Sequence, residues 1–134
     1  MREIGLCRAQ DYNHRWWRGY HTKEVDGDRE YHSLTLVDGN VISVKKETIG
    51  EYIGYDDINN NKIFEHHIVQ IKTGRKCKVV WISGRYHNGF DLVGLDDKYP
   101  KGNEAIYQDL TIVGCVIDTP DLLEVSDAYL RIRN

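Results

Sequence analysis

The stretch that most restricts what this chain can fold into is residues 62–82, KIFEHHIVQIKTGRKCKVVWI. Two runs rich in Val, Ile and Trp, Ile68–Lys72 and Cys77–Ile82, stand on either side of a short basic break, Thr73-Gly74-Arg75-Lys76. β-Branched and aromatic side chains suit a pleated, half-buried surface, and a short gap containing Gly is a hairpin connection. The stretch is therefore expected to form two antiparallel strands that carry the core of a small barrel.

The rest of the chain adds strands of the same kind. Ile4, Leu6 and Cys7 lie among polar residues, the turn-rich Asp11-Tyr12-Asn13-His14 follows, and Arg15-Trp16-Trp17-Arg18-Gly19-Tyr20 returns as the aromatic strand of a first hairpin. Neighbouring side chains on a strand point to opposite faces, so one of Trp16 and Trp17 enters the core while the other covers the outside. Residues 21–30 are polar, lack an apolar period and are expected to be a loop around Asp26-Gly27-Asp28. Tyr31–Val37 and Val41–Val44 flank the tight reversal Asp38-Gly39-Asn40 as a second hairpin. Thr48–Tyr55 reads as a strand, Asp56–Asn61 as a turn, and Phe90–Leu95 as a strand returning from a loop at 83–89. Leu110–Ile117 is apolar on both faces and is placed centrally. One short helix is expected after Asp118, where Thr119 can cap, Pro120 needs no partner for its nitrogen and Asp121 meets the positive end of the dipole. Ala128–Arg133 alternates as a further strand or an ordered tail. About eight short strands and one brief helix make an all-β protein of the small barrel or sandwich type.

A chain of 134 residues fits one domain and can bury a core without metal or disulfide staples. The formal charge is −3 and the pI about 6.0, which is not the footprint of a nucleic-acid binder. Cys7, Cys77 and Cys115 are odd in number and contain no CxxC pair, as expected of reduced thiols in the cytoplasm rather than a secreted disulfide framework. No apolar run approaches the ~20 residues that cross a bilayer, and the N-terminus lacks the apolar core of a signal peptide, so no membrane association is expected.

No catalytic site, cofactor or metal is indicated. His66 and His67 are neighbours on an extended segment and point apart, so they are read as exposed or half-buried turn residues rather than as a metal pair. Asp26/Asp28, Asp56/Asp57 and Asp96/Asp97 fall in turns, where Asp is favoured for conformational reasons, and none has EF-hand spacing. The three cysteines lie on strands that look buried, where a thiol is inert. Two surfaces remain. Arg75, Lys76 and Lys78 near one hairpin tip, with Arg85, Tyr86 and His87 near the next, could bind phosphate and stack bases. Trp16, Trp17 and Tyr20 are candidate self-association aromatics.

Taken together, three blocks of the chain resemble the YopX family of phage and prophage proteins. The first is Met1-Arg2-Glu3-Ile4, then Arg8, then Arg15–Tyr20. The second is Ile49–Gly54, the Asn-rich turn and Lys62-Ile63-Phe64-Glu65 leading to Ile68-Val69. The third is Val113-Gly114 through Ile117-Asp118-Thr119-Pro120-Asp121-Leu122-Leu123. Where the family usually has Gly-Asp, this chain has His66-His67, so the turn there cannot use glycine's freedom at positive φ. The resemblance implies an SH3-like small barrel in the second half with N-terminal β-hairpins beside it: one domain over 1–134, with hairpins at 1–48, the barrel portion at 49–125 and a C-terminal extension at 126–134. It implies no catalytic assignment. The expected role is non-enzymatic, through protein contacts or homo-oligomer assembly with itself or with another phage or host protein, in the cytoplasm of a bacterial host. Nucleic-acid binding is the alternative.

Overall fold

A computed structural model of the chain describes residues 5–83, 88–96, 98 and 109–118. Ten strands follow one another among them: β1 (Leu6–Gln10), β2 (Trp16–Asp26), β3 (Arg29–Thr35), β4 (Val41–Ser43), β5 (Gly50–Asp56), β6 (Lys62–Phe64), β7 (His67–Gln70), β8 (Lys76–Ser83), β9 (Asn88–Gly94) and β10 (Thr111–Cys115). Among the described residues the only helical element is a 3₁₀ turn at Lys46–Thr48. The protein is all-β, with one sheet ordered β4-β3-β2-β1-β5-β6 and a second ordered β10-β7-β8-β9. The chain divides into two compact units, Met1–Gly54 and Tyr55–Asn134, and the division falls inside β5. The expected short helix at 119–123 and the strand or tail at 128–133 lie outside the described residues.

In the first unit β1 and β2 pair with Leu6 opposite Tyr20, Arg8 opposite Arg18 and Gln10 opposite Trp16 on one face, and Cys7 opposite Gly19 and Ala9 opposite Trp17 on the other. The second of these faces is the core: Cys7, Ala9, Leu34 and Val44 are buried, and Trp17, Leu36, Ile42 and Ile49 close around them. Thr48 fastens the 3₁₀ turn to the sheet, its hydroxyl accepting from the Gln10 amide at 2.9 Å and donating to the Lys45 carbonyl at 2.7 Å. The expected loop at 21–30 is instead paired strand. β2 runs on to Asp26 and β3 starts at Arg29, in register from Tyr20 opposite Thr35 to Asp26 opposite Arg29. Gly27 at φ +63° is the first residue of the two-residue connection, which a tight hairpin turn requires. The apolar period is missing there because both faces of this hairpin are exposed, so nothing selects for alternation.

The second unit is built on the stretch at 62–82, which forms three strands rather than the expected two. β7 and β8 pair with Ile68 opposite Lys78 and Gln70 opposite Lys76, closed by the Ile71–Arg75 turn with Gly74 at φ +92°. β9 continues the meander beside β8, and β10 returns to pair with β7. Ile63, Phe64, Ile68, Val69, Cys77, Val79, Leu92 and Leu110 are fully buried, and this arrangement fits the small all-β barrel type. The separation of β6 from β7 is due to His66, which adopts φ +79° without being glycine. Two backbone bonds hold it there, from the His66 amide to Val79 and from the Val116 amide to the His66 carbonyl, at 3.1 and 2.9 Å. His67 also departs from expectation. It is buried, and its Nδ1 accepts the Phe64 amide at 2.9 Å.

β10, expected centrally, ends the strand order of its sheet. It is apolar on both faces yet mostly half-buried, with a register shift between Ile112 and Gly114. Asp57 ties β10 to the 56–61 turn. Its carboxylate accepts the amides of Asn59 and Asn61 at 2.9 Å each and of Ile112 at 3.2 Å. Burial would raise this carboxyl, but the amides of Asn61, Ile112 and Asn59 hold it below its ordinary value.

Candidate interaction surface

The two adjacent tryptophans divide as strand geometry demands. Trp17 lies over the first unit's core, and its indole N–H donates to Asp11 Oδ2 at 2.8 Å. The other Asp11 oxygen accepts the amides of Asn13 and Arg15, at 2.8 and 2.9 Å. These donors, the Arg15 amide first, keep the Asp11 carboxyl below its usual value. Trp16 faces the other way, with the Arg8 guanidinium carbon 3.7 Å from its ring centroid. Its indole N–H is buried without a hydrogen-bond partner. Tyr20, the third candidate, is exposed and begins the part of β2 that is open on both faces. Tyr31 on β3 belongs to the same face as Tyr20, since Glu24 lies opposite Tyr31. Val25 is exposed on the other face.

A cluster of charged and titratable groups braces this hairpin where it leaves the core. The His21 and His32 rings stack with centroids 5.0 Å apart, and His21 Nε2 lies 2.8 Å from His32 Nδ1. His32 Nε2 is 3.2 Å from Glu30 Oε2, which also receives Lys46 Nζ at 3.0 Å, while Lys23 Nζ is 3.3 Å from Glu30 Oε1. Lys46, His32 and Lys23 pull the Glu30 carboxyl down to about 2. Burial, with His32 and Lys23 beside it, holds His21 below its ordinary 6.5. Reading residues 21–30 as a loop hid this cluster. Once the strands are in register, Lys23 and His32 are opposite neighbours and His21 lies on the adjacent diagonal.

The basic candidates are arranged differently. Arg75 Nη2 donates to Asp96 Oδ1 at 3.0 Å and to the Lys98 carbonyl at 2.9 Å. The Lys98 amide and then the Arg75 guanidinium keep the Asp96 carboxyl below its ordinary value. Lys76 and Lys78 share one face of β8, both half-buried, with Gln70 and Ile68 across from them on β7. Arg85, Tyr86 and His87 lie outside the described residues. Among the described residues no group of three or more His, Cys, Asp and Glu side chains could hold a metal ion. No helix among them is long and apolar enough to cross a membrane.

What the geometry defines is a small all-β protein with an open, aromatic-bearing hairpin on one unit and a tightly filled barrel sheet in the other. The chain belongs to the YopX family: that family's model, described as YopX protein, matches residues 5–124. No curated protein matches the chain.

Proposed function

We propose that this YopX family member is a non-enzymatic protein of phage or prophage origin that works in the cytoplasm of a bacterial host through protein contacts, first of all with a second copy of itself. One observation carries the reading. The hairpin from Tyr20 to Thr35 has seven residue pairs in register and is exposed on both faces over most of its length, while presenting Tyr20, Val25 and Tyr31 to solvent. A two-stranded ribbon alone is marginal in water, and apolar side chains along it gain most when another surface covers them. Sedimentation velocity across a range reaching high micromolar concentration tests this. The expected result is a concentration-dependent rise in mass that Tyr20→Glu with Tyr31→Glu suppresses. A monomer at every concentration overturns it.

Nucleic-acid binding is the second reading, favoured by Lys76 and Lys78 on one face of β8 and by the Arg85–His87 segment in the sequence. It requires a low-salt gel shift that weakens with added salt and with Lys76→Glu. A flat titration eliminates it.

A further inference from the structure

The His21, His32 and Glu30 side chains lie outside the first unit's buried cluster, and their geometry admits few protonation states. Glu30 is ionised at any pH near neutrality and can only accept, so His32 Nε2 carries a proton toward it. In the neutral pair His32 Nδ1 is then the acceptor, and His21 Nε2 must carry the proton between the rings. One added proton can still be accommodated, because an imidazolium N–H can donate to a neutral imidazole nitrogen across the same 2.8 Å gap. A second cannot. Both facing nitrogens would then be N–H donors on two like charges, with no acceptor between them.

The charged groups facing the pair among the described residues are Lys23 on β2, Glu30 on β3 and Lys46 on the 3₁₀ turn. On that face β4 brings Ile42, and β1 brings Cys7 and Ala9. Glu30 already takes Lys23 and Lys46 besides the His32 N–H, so a second imidazolium adds to an excess of positive charge.

We propose that His21, His32 and Glu30 form a proton-operated brace at the base of the β2–β3 hairpin, closed while the imidazoles share at most one added proton and opened by the second. Opening detaches the hairpin outward of His32 and leaves the Cys7–Ala9–Leu34–Val44 core intact, with the Val44 amide still on the His32 carbonyl. The brace does not rest on the proposed self-association, and its test is run in the Tyr20→Glu, Tyr31→Glu variant, whose changes lie on the opposite face of the hairpin, so that association cannot protect the same amides.

NMR titration of the imidazole nitrogens, with amide hydrogen exchange from pH 7.5 to 5 corrected for intrinsic chemistry, tests it. The expected result is that the stacked pair takes its second proton in a separate step below 6.5, on the side to which burial already moves His21. Amides at 24–31 should lose protection by about tenfold per pH unit as pH falls from the ordinary 6.5 toward that lower step, while the Ala9 amide stays protected. His21→Gln keeps an N–H for His32 Nδ1 without titrating, so its hairpin should stay protected and pH-independent over the same range. Independent titration of both rings at the ordinary value overturns the proposal. So does an unchanged pH dependence in His21→Gln, or a hairpin already open in that variant at pH 7.5 with Ala9 still protected.

Discussion

At Gly19 the backbone of β2 passes directly against the end of β3. A Cβ built there would stand 2.5 Å from the Thr35 carbonyl oxygen and 3.3 Å from Leu34 Cβ. The oxygen belongs to the backbone and cannot swing away, so Gly19→Ala forces the strands apart beside the Cys7–Leu34 core. A loss of about 1–3 kcal/mol is expected, read as a lower urea midpoint. His66 presents the opposite case, an L-residue held at φ +79°, which costs about 1–2 kcal/mol relative to a relaxed backbone. His66→Gly removes that strain but adds chain entropy to the unfolded state, so the net expectation is a gain of up to ~1 kcal/mol in the same measurement. No gain, or a loss, would mean that the imidazole's own contacts outweigh the backbone strain.

At the scale of elements, two carboxylates do more than the apolar pattern reveals. Glu30 titrates near 2 in the folded protein against an ordinary 4.5, so its contribution is fully present above 4.5 and is lost as pH falls toward 2. Unfolding midpoints of the wild type and Glu30→Gln should therefore converge as pH drops through that window and lie furthest apart above it. Parallel curves would show that Lys23, Lys46 and the His32 N–H do not stabilise the hairpin through Glu30. Asp57 holds three amides in two different segments, and Asp57→Ala leaves them without their acceptor. About 2 kcal/mol or more should be lost, with faster exchange at Thr111–Cys115 than in β8.

The elements themselves were legible where burial imposes a period. The β7–β8 hairpin, the Asp38-Gly39-Asn40 reversal and the Asp56–Asn61 turn all follow from alternation or turn chemistry. Residues 21–30 were not legible, because a ribbon exposed on both faces carries no hydrophobic code for its pairing. The brace was hidden for the same reason: His21 and His32 are eleven positions apart in sequence and meet only through the register. His67 escaped because a buried imidazole accepting a backbone amide has no signature in spacing. Arg75 looked like a surface cation because Asp96 and Lys98, which engage it, are about twenty residues further on.

For the whole molecule, the three thiols report on the two units separately. Cys7 belongs to the first unit and Cys77 and Cys115 to the second, and all three are buried thiols. Cys77 lies on β8 and Cys115 on β10, the two strands that flank β7, so neither thiol can be reached without taking apart the sheet they share. Their labelling must then depend on the same opening event, whereas Cys7 answers to the opening of the β1–β2–β5 region. Pulsed alkylation under mildly denaturing conditions, read by peptide mass spectrometry, should give Cys77 and Cys115 a common protection free energy and Cys7 one of its own. Asp57→Ala sharpens the expectation: releasing β10 should accelerate Cys115 ahead of Cys77 and leave Cys7 unchanged. Cys115 remaining coupled to Cys77 in that variant would mean that β10 is held by its ladder to β7 rather than by the Asp57 carboxylate.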